Sequence, residues 1–211
     1  DGENGFLFNK DDEYDLAKHA FKVEREYLEL SGGYQDQFAA AFGGINLTTK
    51  SNGKFLVEQL RIRTPMLREL ESCLKLFYTG VSRDSAQIIN HQVKATKDLE
   101  RLEAMHCLKM EAYEMKKCLL QMDSNRLVES MISGWKAKKK TSDKIISPAL
   151  EQLLSGFIGA GAQAGKISGA GGGGFMLLFV PLANLTDVRE LASSSGLLED
   201  MNIEINGVET W

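Results

Sequence analysis

The sequence predicts an α+β fold, a two-layer domain in which helices pack on an antiparallel sheet, on the strength of three observations. From Leu74 onward the local patterns run strand, helices, strand, strand, helix, strand. The stretch from Val81 to Ser133 contains neither Gly nor Pro, whereas nine of the 20 glycines crowd between Gly156 and Gly174. The segment just after them, Phe175 to Val180, is apolar at every position, as expected of a strand covered on both faces. A βαββαβ ferredoxin-like arrangement with extra helices is the simplest architecture with that order.

The first helix is expected over residues 11–30. Asp11 or Asp12 caps it, Leu16, Ala20, Val23 and Tyr27 recur at helical spacing, and Ser31-Gly32-Gly33 ends it. A short helix from Gln35 to Phe42 follows, broken by Gly43-Gly44. Residues 45–48 and 55–63 read as strands joined by a turn at Ser51-Asn52-Gly53. Pro65 opens a new region. Leu74, Leu76 and Tyr78 alternate with Lys75, Phe77 and Thr79 as in a half-buried strand. Apolar residues stepping by three or four from Ala86 to Met122 predict one long helix whose Met-rich stripe is core, roughly 50 Å if unbroken. Another helix covers Asp123 to about Lys138, and Lys138-Lys139-Lys140 reads as a solvated turn, with a phosphate-binding role as the alternative. Pro148 suits the first turn of a helix running to about Ala162. Strands are expected at Gly165–Ser168, Phe175–Val180 and 201–205, with a helix over 184–195.

Bulk properties exclude several classes. A net charge of −4 with 26% charged residues gives no basic footprint for nucleic acid. No run of about 18 apolar residues is present, so no helix is expected to span a membrane. No signal-peptide pattern precedes the first helix. Cys73, Cys107 and Cys118 lie at no metal-ligand spacing and read as free buried thiols, which fits a reducing cytoplasm. His19, His91 and His106 form no ligand cluster, so no protein metal site is expected.

Chemistry concentrates in two places. Four consecutive glycines, Gly171 to Gly174, cost backbone entropy and call for a reason, such as close approach of backbone N–H groups to an anion or to another loop. Ile167 and a buried strand flank the run, so an ordered ligand-proximal loop is expected rather than a flexible linker. No Lys-Ser/Thr follows, which removes the Walker pattern, and the glycines open a strand rather than a helix, which removes the Rossmann turn. The second place is Ser31 to Ile45. There Asp36 at a helix start either caps the helix or serves as a carboxylate facing a cleft, with Gln35 and Gln37 able to hold a polar ligand.

Taken together, Lys166-Ile-Ser-Gly-Ala-Gly-Gly-Gly-Gly174 and the Gly33 to Gly44 stretch Gly-x-Gln-Asp-Gln-x-Ala-Ala-x-x-Gly-Gly resemble the GHMP kinases. Phe77-Tyr-Thr-Gly-Val-Ser-Arg83 and Trp135-Lys-Ala-Lys-Lys-Lys140 are similar to the heptose 7-phosphate kinase branch in particular. The resemblance runs from about residue 16 to residue 182. It implies transfer of the γ-phosphoryl group of ATP, as its Mg²⁺ complex, to a hydroxyl of a small sugar or sugar phosphate. It also implies Asp36 as the catalytic carboxylate and Gly169, Ala170, Gly171, Gly172 and Gly173 as the nucleotide-side loop. Gln35, Gln37 and Arg83 are the implied substrate contacts. The family's phosphate loop, Pro-x-x-x-Gly-Leu-Gly-Ser-Ser, has no match in residues 1–30. Residues 1–64 are therefore expected to be the tail of a GHMP N-terminal domain and 65–211 the C-terminal domain. The missing N-terminal half is then a required partner, and this chain alone is expected to be inactive. The competing reading is a non-catalytic binding or regulatory domain that kept the fold and lost the phosphate loop.

Overall fold

The computed structural model describes residues 13–81, 89 and 98–208. The described residues fall into two compact units, one gathering those up to Leu60 with those from Ile203 onward, the other running from Arg61 to Asn202.

In the first unit, helix α1 (Glu13–Lys22) widens into a π turn over Val23–Tyr27. Helix α2 (Gln35–Phe42) and the hairpin β1 (Asn46–Ser51) and β2 (Lys54–Gln59) complete it. Ala17, Phe38, Ala41 and Phe42 form the core, with Tyr14, Phe55 and Val57 packed against them. The first helix ends earlier than its periodicity predicts. Leu28 N bonds Val23 O at 3.0 Å, and Glu29 takes φ +53°. The wider i→i+5 turn rotates the following side chains off the buried face, so Val23 and Tyr27 are 48% and 65% exposed while Ala17 is buried. The hairpin turn is the two residues Asn52-Gly53, both at positive φ, which matches the right-handed twist of the strands. The strands themselves are 46–51 and 54–59 rather than 45–48 and 55–63. The chain returns at its C-terminal end, where Gly44 N donates to Glu204 O at 2.6 Å and Gly43, at φ +61°, lies against Gly207 so closely that no Cβ fits.

In the second unit, helix α3 (Thr64–Cys73) begins with Pro65 in its first turn and buries Met66, Leu70 and Cys73. The sequence reading took Pro65 only as a boundary and missed this helix. The sheet comprises β3 (Leu74–Tyr78), β4 (Ala164–Ile167), β5 (Phe175–Phe179) and β6 (Leu197–Asp200) in the order β4-β5-β3-β6, every neighbouring pair antiparallel. That is the strand order of a ferredoxin-like βαββαβ unit. Helices α4 (Leu99–Gln121), α5 (Ser124–Lys140) and α6 (Pro148–Gly159) lie between β3 and β4 in sequence. Helix α7 (Leu185–Ser193) connects β5 to β6. Phe77, Met176 and Ile167 sit side by side across the sheet and pack with Leu154, Phe157, Leu178 and Val188.

Several expectations need correction. The inward face of β3 carries Phe77 and Lys75, not Tyr78, which is 43% exposed. Lys75 tolerates burial because its ammonium meets Asp200 at 3.1 Å and donates to Ser72 O at 2.6 Å. The long helix does not run unbroken. Asp98 takes an extended conformation and its side chain accepts from Glu100 N at 3.0 Å, so α4 starts afresh there. The earlier part of that expected helix lies outside the described residues. The Met-rich stripe of α4 is core only in part: Leu119 is buried and Met105, Leu108 and Met115 are half-buried, but Leu99, Leu102 and Met122 are exposed. The face of α4 turned to α5 is partly polar instead, with Glu111 accepting from Ser130 and Ser133 at 2.5 and 2.6 Å. Cys107 is exposed on α4, whereas Cys73 and Cys118 are buried. Lys138, Lys139 and Lys140 form the last turn of α5 rather than a loop, and Lys139 pairs with Glu151 at 2.7 Å. Phe175 is 45% exposed because it sits at the loop end of β5, beside Tyr78. The last strand is 197–200 rather than 201–205, since pairing with β3 runs from Leu197 to Asp200. Among the described residues no helix is long and apolar enough to cross a membrane.

Candidate functional site

The first candidate segment is the start of α2. Two phenylalanines, Phe38 and Phe42, lock this helix into the core by its inner face, which leaves Gln35 and Asp36 exposed on the first turn. Tyr34 occupies the N-cap position and supplies no side-chain cap. Asp36 makes no hydrogen bond or ion pair with any described residue, so its carboxylate is available and does not cap the helix. Gln37 turns the other way. It is 5% exposed, its Nε2 donates to Glu24 Oε2 at 2.8 Å, and its Oε1 has no partner among the described residues. Glu24 is held in turn by Arg25 at 3.2 Å, and Arg25 donates to Leu30 O and Gly33 O at 3.2 and 3.3 Å. Gly32 leaves room for that guanidinium, since a Cβ there would collide with it. This network braces the turn from which Asp36 projects.

The second candidate segment is the loop between β4 and β5. It is ordered by its own contacts. Gly172 N donates to Ile145 O and Gly174 N to Val81 O, both at 2.7 Å, while Thr79 N and Oγ1 donate to Gly174 O at 2.9 and 2.8 Å. A Cβ on Gly171 would lie 2.7 Å from Ile145 O, and one on Gly173 would overlap Val81 O. Gly169, Gly171, Gly172, Gly173 and Gly174 all adopt positive φ. Glycine is thus needed at Gly171 and Gly173 for packing against neighbouring segments, the second of the two reasons expected for the run. The N–H groups of Gly169, Ala170 and Gly173 donate to no described residue.

Two lysines stand beside this loop in the fold, Lys166 on β4 and Lys138 on the last turn of α5, a helix that packs on β4. Burial pushes the Lys166 ammonium pKa down. Burial, followed by the positive charge of Lys166, does the same to Lys138. In sequence, the run Lys138-Lys139-Lys140 has phosphate binding only as its alternative reading, and Lys166 stands out only as part of the glycine motif. The signal that could have found the pair was Lys166 itself, a lysine set inside an otherwise small and apolar strand. Arg83, the remaining sequence-selected residue, lies outside the described residues. No cluster of three His, Cys, Asp or Glu able to hold a metal ion is present among the described residues.

Comparison with known proteins adds a second line of observation. The family model described as GHMP kinases C terminal matches residues 115–196. The D-glycero-alpha-D-manno-heptose 7-phosphate kinase of Campylobacter jejuni subsp. jejuni is 37% identical over 201 residues, covering 94% of this chain and 59% of that protein. The crystal structure of a D-glycero-D-manno-heptose 1-phosphate kinase from Bacteroides thetaiotaomicron superposes with a TM-score of 0.70 at 30% identity, over 92% of this chain and 54% of that one. Mevalonate kinase from L. major, at 16% identity and a TM-score of 0.73 over 93% of this chain and 60% of its own, matches in fold. The chain spans just over half the length of these proteins.

Proposed function

We propose that this chain, which belongs to the GHMP kinases through its C-terminal domain, is part of an ATP-dependent kinase that phosphorylates a hydroxyl of a small sugar or sugar phosphate, a heptose phosphate first among them. The observation that carries the reading is the 37% identity to a heptose 7-phosphate kinase along 94% of the chain, a span that includes both candidate segments. The two heptose kinases named above differ in which phosphate their substrate carries, so the heptose is the shared part of the reading.

In this reading the acceptor hydroxyl oxygen attacks the γ-phosphorus, the bond to the ADP oxygen breaks, and the hydroxyl proton passes to Asp36. An exposed carboxylate on a braced helix start, with no partner among the described residues, suits that task, because a base must be free to reach the proton it takes. Gln35, exposed beside Asp36, contacts the substrate. Gln37, held by Glu24, orients the helix start from behind, and Arg83 is a further substrate contact. The loop from Gly169 to Gly173 lies on the phosphate side. Residues 1–64 are the tail of the N-terminal domain and 65–211 the C-terminal domain, while the family's Pro-x-x-x-Gly-Leu-Gly-Ser-Ser phosphate loop is supplied by a segment other than these residues. Mg²⁺ arrives with the ATP phosphates. The described residues offer it no ligand cluster, and no step is assigned to it here.

The test is ADP release with ATP and D-glycero-D-manno-heptose 7-phosphate, using protein that joins this chain to a segment bearing a Gly-Leu-Gly-Ser-Ser loop. Turnover in the kinase range of about 1–100 s⁻¹ is expected there, and none from residues 1–211 alone. Absence of turnover with every phosphorylated and free sugar tried would favour the non-catalytic binding domain instead.

A further inference from the structure

Buried or half-buried cations among the described residues are nearly all answered. Lys75 has Asp200 and two backbone carbonyls. Lys139 has Glu151, Arg25 has Glu24, and Arg101 has Asp98 and Asp143. Lys138 and Lys166 are partly buried, and their ammonium groups make no hydrogen bond or ion pair with any described residue. In β4, Gly165 and Ile167 face the core, where a Cβ on Gly165 would meet Leu154 and Leu178. Strand alternation therefore turns Lys166 to the opposite face, where its cross-strand neighbours are the apolar, partly buried Leu177 and, beyond it, Leu76. A lone ammonium on an apolar sheet face is unfavourable unless something neutralises it. The charge of Lys166 in turn reaches Lys138 and adds to the imbalance there.

We propose that Lys138 and Lys166 together bind a phosphate monoester dianion beside the glycine loop. Four features support the assignment. Two positive charges match the roughly −2 charge of a phosphate monoester near neutral pH. Lys166 is three residues before Gly169, so the pair stands at the root of the loop in which the Gly169, Ala170 and Gly173 amides donate to no described residue. The segment after α5 runs back along the same loop, with Ile145 O accepting from Gly172 N at 2.7 Å. Thr141, buried directly after the helix, donates through Oγ1 to Lys138 O at 2.7 Å and fixes the helix end. The inference rests on the kinase reading for its choice between two sources of the phosphate, the non-reacting phosphate of a sugar phosphate or a phosphate of ATP. On that reading the sugar phosphate is the occupant.

The experiment uses the full 211-residue chain, titrated separately with inorganic phosphate, ATP, D-glycero-D-manno-heptose 7-phosphate and the unphosphorylated heptose, with affinity and Tm as readouts. Lys138→Met, Lys166→Met and the double variant are compared with Lys136→Met, an exposed lysine on the same helix. The wild type should gain Tm with phosphate esters and not with the free heptose. Each single variant should lose at least about tenfold in affinity, and the double variant should lose the response, while Lys136→Met keeps it. Without anion, the single variants should melt at or above the wild-type temperature, since an uncompensated charge has been removed. A response to heptose 7-phosphate but not ATP assigns the site to substrate; the reverse assigns it to nucleotide. The proposal is overturned if no phosphate compound raises Tm, if the double variant binds as tightly as wild type, or if the variants melt lower regardless of anion. These readouts need no turnover. A protein that binds phosphate through the pair and never transfers phosphoryl groups would sink the kinase reading and leave this one standing. An active kinase indifferent to both substitutions would do the opposite.

Discussion

At the start of α2 the proposed functional atoms belong to a side chain, exposed and without a partner among the described residues, with its scaffolding set behind it in the Gln37–Glu24–Arg25 network. In the loop between β4 and β5 the proposed functional atoms belong to the backbone, and the same residues that present them also pack against Ile145 and Val81. In the first segment chemistry and architecture are carried by different residues and are separable by mutation. In the second they share residues, so a substitution there disturbs both at once. Rate and stability should therefore respond in opposite proportion at the two places, which gives the comparison several points at which to fail.

The largest effect is expected at Asp36. Asp36→Asn keeps the side-chain shape and removes the charge, and in the turnover-competent protein kcat should fall on the order of 10²–10⁴. Tm and ATP affinity should hardly change, because the carboxylate has no partner among the described residues to lose. A fall in Tm with turnover intact would make Asp36 an architectural residue and collapse the distinction between the two segments.

Next in size come the loop glycines. Gly171→Ala and Gly173→Ala each combine a positive φ with a Cβ driven onto a backbone carbonyl. A cost of about 3 kcal/mol each is expected from strain and overpacking together. Gly169→Ala meets nothing within 4 Å and carries only the penalty of φ +64°, so about 1 kcal/mol is expected. Denaturant unfolding of the three variants measures the spread. Equal costs would mean that Ile145 and Val81 do not crowd the loop, and that its glycines serve ligand approach alone.

The first unit repeats this device away from Asp36, which allows a finer test. Gly43 at φ +61° faces the Gly207 backbone, whereas Gly44 at φ +67° has its nearest neighbour, Ile205 O, 3.9 Å away. Gly43→Ala should destabilise by about 3 kcal/mol and Gly44→Ala by about 1 kcal/mol. Neither should change kcat once the protein is folded, if rate at this end of the molecule belongs to Asp36.

How much of this was legible in the sequence follows from how local each cause is. Helix α2 was placed at its observed bounds because glycines bracket an apolar repeat, and α6 was placed by Pro148. The strand order was legible because a βαββαβ pattern admits few arrangements. The inward face of β3 was not, since Lys75 is buried only because Asp200, far along the chain, answers it. The internal demand for Gly171 and Gly173 was equally hidden, because Ile145 and Val81 reach the loop only through the fold. Asp36 could be picked out by its neighbours in sequence. The lysine run at Lys138 suggested phosphate binding only as an alternative, and its pairing with Lys166 was not legible, since the two meet only through the packing of α5 on β4.

The smallest expected effect is electrostatic and sharpens the same contrast, since charge behind Asp36 is paired and the charge of Lys138 and Lys166 has no partner among the described residues. Burial lowers the pKa of both Lys138 and Lys166 below the ordinary value of 10.5. Between the lowered folded pKa and 10.5, the unfolded chain binds more protons than the folded one. Stability therefore rises with pH through that alkaline window, and the penalty of the charged pair is fully present below it. Unfolding free energy measured at several alkaline pH values should climb more steeply for the wild type than for the Lys138→Met/Lys166→Met double variant, which subtracts the background of other titrating groups. Both lysines remain partly open to water, so the difference in slope should be modest. Saturating phosphate ester should flatten it, because a bound dianion stabilises the charged ammonium groups and draws their pKa back up. Identical slopes with and without the pair would mean that solvent already neutralises these charges, and the glycine loop would then be no more electrostatically exposed than the helix start at Asp36.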